Sequence, residues 1–140
     1  MKKHHKNSIA IDVYFQSLES FKKKIENAIS KREKLLQPSS EVYFESVAEF
    51  RKFMTFHKFE LLSAIAYRKP NSIYELAKLL DRDFASVLRD CVALAGVGFL
   101  VLEEKKDARG SKAPKLPFAY SVIRIHFPNN SHQMEFNLAA

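Results

Sequence analysis

The stretch "LLDRDFASVLRDC", residues 79–91, gathers Arg82, Arg89, Asp81, Asp83, Asp90 and Cys91 into one short run. Carboxylates this close suit general acid–base chemistry, a thiol suits nucleophilic attack, and arginines suit guanine edges or phosphates. Helical periodicity sorts them. Advanced by about 100° per residue, Phe84, Val87, Leu88, Cys91, Leu94 and Ala95 fall on one apolar arc, and Arg82, Ala85, Ser86, Arg89 and Ala93 on the opposite one. The first arc reads as core. The second combines small side chains with arginines, as a helix needs if its backbone is to approach base edges. Arg89 is therefore the expected base reader and Ser86 a partner for a base or phosphate. Asp83 is placed to cap the helix, and Asp81 belongs to the preceding turn. Asp90, at the border between the arcs, is expected to hold Arg89 or Arg82, with acceptance from a cytosine as the other role open to it. The competing reading is a charged helix that only faces water.

Other chemistries find little support. His57, His126 and His132 are scattered, His4 and His5 sit together in the basic lead, and a single cysteine provides no Cys pair for zinc. Cys91 lies on the apolar arc with no base placed beside it, so it reads as a small buried residue. Neither GxxxxGK[ST] nor GxGxxG occurs, and three glycines leave no phosphate-cradling loop. The many phenylalanines read as core, with a stacking platform for single strands as a minor option. The expectation is a protein that is not an enzyme and carries no cofactor or metal.

The elements that must position the opening stretch follow from pattern and punctuation. "SIAIDVYF" (8–15) alternates as a strand does, and Ser17 is placed to cap a helix running to about Leu36, with Leu18, Phe21, Ile25, Ala28, Ile29 and Leu35 at helical spacing. This helix is basic and amphipathic, and its stripe is expected to pack on its own domain or on a second copy. "EVYFE" (41–45) is a second strand, and the capping box of Ser46 and Glu49 opens a short helix to about Met54. Thr55 caps a helix with Phe59, Leu62, Ile65 and Ala66 inward, ending near Pro70. Ser72 and Glu75 form another capping box, starting a helix with Ile73, Leu76, Ala77 and Leu80 on one face. The helix capped by Asp83 should run to about Ala95, stopped by the glycines at 96 and 98. "FLVLEE" (99–104) reads as a strand, residues 105–117 as a flexible turn, "YSVIRIHF" (120–127) as the returning strand, and the tail from Pro128 as loose.

Three helices followed by a two-stranded ribbon with a basic tip is the order of a winged helix-turn-helix. On that ribbon Lys105, Lys106, Arg109, Lys112 and Lys115 would meet phosphates, and Ser72 and Tyr74 open the second helix toward the same ligand. A polar hairpin loop is the plain alternative. Lys2, Lys3, His4, His5 and Lys6 offer a phosphate-binding arm or simply a disordered, soluble start.

With 140 residues, Lys+Arg 23 against Asp+Glu 16 and a net charge of +7, the chain suits a polyanionic partner, double-stranded DNA before a membrane. Lacking a signal-like h-region, a spanning run or a second cysteine, it is expected in the cytoplasm.

From about Ile9 to Phe127 the chain resembles a family of small bacterial and archaeal winged helix-turn-helix transcriptional regulators. The resemblance rests on Phe44-Glu45-Ser46 in the second strand and Ser72, Ile73, Glu75, Leu76 and Ala77 in the second helix. It extends to Arg82, Asp83, Val87 and Asp90 in the third helix, and to Lys112, Ala113, Pro114, Pro117 and Phe118 in the wing. It implies a DNA-binding regulator, a repressor in the first instance. Some members resemble antitoxins, which neutralise a small toxin by direct binding and repress their own operon. Ala85, Ser86 and Leu88 depart from the family's polar pair and histidine, so no recognition sequence carries over.

The expected architecture is α+β, a winged helix-turn-helix preceded by a strand-helix-strand unit. Residues 1–54 form that extension, used for dimerisation or partner binding, residues 55–127 the DNA-binding domain, and residues 128–140 a tail. A homodimer and, in the antitoxin reading, a cognate toxin are the expected protein partners.

Overall fold

The computed structural model describes residues 8–32, 40–105, 111–128 and 132–138, and it is α+β. The expected basic lead, together with Lys106 and Arg109 of the expected wing, lies outside the described residues.

Strand β1 (Ala10–Phe15) is followed by α1 (Leu18–Lys31), β2 (Glu41–Phe44) and α2 (Val47–Phe53). The Ser17 and Ser46 side chains accept from the backbone N–H of Ser20 and Glu49, supplying partners that the first helical turns lack. β1 and β2 lie parallel, as a strand-helix-strand unit permits, with Val13 opposite Val42 and Phe15 opposite Phe44. α1 ends at Lys31, because Arg32 turns left-handed and its N–H closes on the Ala28 and Ile29 carbonyls. The expected end near Leu36 falls in the span outside the described residues. Of the α1 stripe only Ala28 is buried, while Leu18, Phe21 and Ile29 face outward.

Three further helices follow: α3 (Phe56–Arg68), α4 (Ile73–Leu80) and α5 (Phe84–Val97). Thr55, Ser72 and Asp83 cap them, so the five helix starts among the described residues obey the same local rule. α5 runs two residues past the expected end, through Gly96, and stops where Gly98 adopts φ +107°, a conformation that a side chain resists.

The pairing of the later strands differs from the expectation. β3 (Val101–Glu104) pairs antiparallel with β4 (Lys112–Lys115), inside the segment read as a turn. The Lys105 N–H donates to the Ser111 carbonyl at 2.9 Å, and alternation from that bonded pair places Pro114, opposite Leu102, at a non-bonded position. Its missing N–H therefore costs the ladder nothing, which is why a proline survives here.

The strand expected to return along the hairpin, β5 (Val122–His126), instead joins the first sheet, whose order is β2-β1-β5-β6. β5 runs parallel to β1, with Ile11 opposite Ile123 and Val13 opposite Ile125 on the core face. On the other face Asp12, Arg124 and Glu135 stand in register across three strands. Arg124 bonds Glu135 at 2.9 Å and Asp12 at 3.4 Å, so one polar row and one apolar row fix the same register. The tail read as loose supplies β6 (Gln133–Asn137), antiparallel to β5, and buries Leu138.

One hydrophobic core joins the sheet to the helices, with Ile11, Val13, Val42, Ile123 and Ile125 meeting Leu61, Leu62, Leu76, Val87, Cys91 and Leu94. The Tyr120 hydroxyl, fully buried, donates to the Phe99 carbonyl at 2.6 Å and ties the segment before β5 to the exit of α5.

Candidate nucleic-acid interface

The site is built on the turn between α4 and α5. Asp81 takes a left-handed conformation, φ 54°, and its N–H closes on the carbonyls of Ala77 and Lys78. The Asp83 carboxylate accepts from the Ser86 backbone N–H at 2.9 Å. This backbone bond, then the Ser86 hydroxyl, then the nearby Arg89 charge hold the Asp83 carboxyl below its ordinary value. Ser86, expected to read a base or phosphate, is thereby engaged in the helix cap. Its hydroxyl also bonds the Asp83 carboxylate.

Arg82 departs from the outward arc expected of it, and Asp90 takes the ion-pairing role expected of it. Arg82 Nη2 bonds Asp90 Oδ2 at 2.9 Å, and both side chains are more than four-fifths buried. Asp90 thus holds Arg82, eight residues back across the turn, and not Arg89. Arg82 is a brace between α4 and α5 and does not face outward.

The outward face of α5 is centred on Ala85, Arg89 and Val92. Phe84, placed by the sequence in the core arc, is 46% exposed and Val92 54%. Leu88, also placed in the core, is only partly buried. The buried arc is narrower than expected, carried by Val87, Cys91 and Leu94. Phe84, Leu88 and Val92 follow one another at four-residue spacing, which puts them on one flank of the helix. That spacing was visible in the sequence, and it misled because both exposed and core stripes share it.

This flank forms a hollow of about 310 Å³ with the start of α4 (Ser72, Tyr74) and the hairpin (Leu102, Ser111, Lys112). Ser72 is the α4 cap, its Oγ accepting from the Glu75 N–H at 3.0 Å, and Tyr74 is exposed with the Lys78 ammonium over its ring. The hollow therefore brings together Ser72, Tyr74 and Lys112 of the expected site, while Ala85 and Arg89 are exposed on the adjoining face of α5. Lys105 and Lys115 are placed elsewhere. They line a separate cleft of about 810 Å³ between the hairpin, the end of α3 and residues 116–121, and Lys115 is paired with Glu103 at 2.9 Å.

Residues 53–125, just over half of the chain, match the HVO_A0114 family. The chain belongs to the HVO_A0114 family. The matched span opens at the last residue of α2 and closes inside β5. It takes in every residue around the hollow, and leaves β1, α1 and β2 outside it. Comparison with curated proteins and with solved structures found no match.

Two other groups carry titratable side chains. Cys91 is fully buried beneath α5, and burial first, then the Asp90 charge, pushes its thiol up to about 12. The native protein is expected to leave a disulfide reagent such as Ellman's unreacted, with full reaction on denaturation; fast labelling of the folded chain would contradict that burial. On the open sheet face His126 Nε2 meets Asp12 at 2.7 Å and its Nδ1 meets the Gln133 amide at 3.1 Å, while its ring stacks on Tyr14. Both ring nitrogens are thus engaged, which makes His126 a fastener of β1, β5 and β6. Among the described residues no group of three or more His, Cys, Asp or Glu is arranged for a metal ion, and no helix is long and apolar enough to cross a membrane.

Proposed function

We propose that the chain is a winged helix-turn-helix regulator of transcription that binds double-stranded DNA, with α5 in the major groove and the β3–β4 hairpin as the wing. The observation that carries this reading is the hollow beside α5, which joins the start of α4, the Phe84–Leu88–Val92 flank of α5 and the hairpin on one surface. Those are the three parts by which such a domain touches base edges and the flanking phosphates. Arg89 reads a guanine, Lys112 and the capped start of α4 hold backbone, and the net charge of +7 supports association.

The test is fluorescence anisotropy on a duplex selected from a random pool, against unrelated duplex. Arg89→Ala should cost about 1–3 kcal/mol on the selected duplex and little on the unrelated one. Equal losses on both would remove Arg89 as a base reader. Lys112→Ala should weaken both alike and lower the salt slope by about one.

The exposed Leu18, Phe21 and Ile29 of α1 favour a second reading, in which the N-terminal unit takes a protein partner, as in an antitoxin that also represses its own operon. Its signature is a stoichiometric co-purifying protein and DNA binding that stays weak until that protein joins.

A further inference from the structure

The outward face of α5 carries one side chain able to form hydrogen bonds with bases, Arg89, while its remaining exposed positions are Ala85, Val92 and Phe84, with Gly96 beyond them. Resting on the DNA-binding reading above, we infer that this helix selects a short run of thymines beside one guanine, recognising the thymines by their methyl groups.

The chemistry leaves little else for these side chains to read. The major groove displays hydrogen-bonding edges and a single apolar group, the thymine 5-methyl, and a helix face almost without donors or acceptors gains nothing from the former. An apolar side chain set against a cytosine or adenine amino group strips water from that group and returns no bond, which selects against those bases. Phe84 and Val92, the exposed ends of a row whose middle member Leu88 packs partly on the core, lie about 12 Å apart along the helix axis. At about 3.4 Å per base step that matches three to four consecutive pairs. Arg89 is exposed on the neighbouring flank of α5, from which its guanidinium would meet a guanine at the edge of the run, and Lys112 closes the hollow with a positive charge toward the phosphates. Ser86, the other polar side chain expected to choose a base, is engaged in the Asp83 cap, so the choice falls to the apolar row.

Removing the methyl groups one at a time tests the inference. A duplex selected by the whole chain is remade with each thymine of the contacted half-site replaced by deoxyuridine, which keeps pairing and deletes only the methyl. Loss of about fourfold in affinity per contacted methyl is expected, from the transfer of one methyl-sized group out of water. In the Val92→Ala and Phe84→Ala proteins, whose substitutions fall at exposed positions, the deoxyuridine effect should shrink at one or two adjacent thymines. The guanine preference should persist in both. Tight, selective binding that ignores every deoxyuridine, or a selected half-site without thymines, would overturn the inference and leave the DNA-binding reading standing. Absence of salt-sensitive binding to any duplex would overturn both.

Discussion

A fragment holding residues 55–127 alone is expected to show no cooperative thermal transition by circular dichroism, whereas the whole chain melts in one step. The span contains all of α3, α4, α5 and the hairpin, yet it ends with β5, whose ladder partners are β1 and β6. Cutting there exposes both edges of β5 and removes the buried Ile11, Val13, Val42, Phe44 and Leu138 from the common core. At about 1.5–3 kcal/mol for each buried side chain the loss is about 8–15 kcal/mol. A whole domain is stable by only about 5–15 kcal/mol. Leu61, Leu62 and Leu94 belong to the same core and lose part of its cover. A sharp melt from this fragment would instead mean that the helices and hairpin fold alone and that the four-stranded sheet is only docked on them.

The same strands explain how far the sequence could be followed. Helix starts were legible because a cap is a local event: Ser17, Ser46, Thr55, Ser72 and Asp83 each satisfy an N–H three residues ahead. Strand partnership is not local. Nothing in "YSVIRIHF" distinguishes a ribbon partner for β3 from the middle strand of another sheet, and the choice falls to β1, more than a hundred residues earlier. Residues 112–115 resembled a turn because a proline normally interrupts a ladder, and only the pairing register shows that Pro114 owes no hydrogen bond. β6 was hidden because Gln133, Met134 and Glu135 are all exposed, so an edge strand with one anchoring residue, Leu138, has no apolar alternation to read. At the site, side-chain directions were the part hidden from the sequence: Arg82 and Ser86, assigned to the outward arc, are turned to aspartates. Ser86 is captured locally by the Asp83 cap three residues back, whereas the Arg82–Asp90 pair depends on the angle between α4 and α5.

That angle is the subject of the second large effect: Asp90→Ala should lower stability by about 3–5 kcal/mol, read as the urea midpoint at unchanged slope. The Arg82–Asp90 pair is 18% and 19% exposed, so water screens it poorly, and Arg82 Nη1 is already buried without a hydrogen-bond partner. Removing the carboxylate leaves a guanidinium charge that cannot be neutralised and has no second acid within bonding distance among the described ion pairs. Replacing both partners with apolar residues, Arg82→Met with Asp90→Leu, should recover most of the loss, because the cost lies in the orphaned charge and not in the missing bond. If Asp90→Ala costs less than about 1 kcal/mol, the pair behaves as a surface ion pair and Arg82 swings into water. Function adds an independent readout. Because the pair spans the turn between α4 and α5, the double variant should bind selected and unrelated duplexes with nearly equal loss. Arg89→Ala, by contrast, should narrow the difference between them by about 1–3 kcal/mol, which separates a residue that aims the helix from one that reads through it.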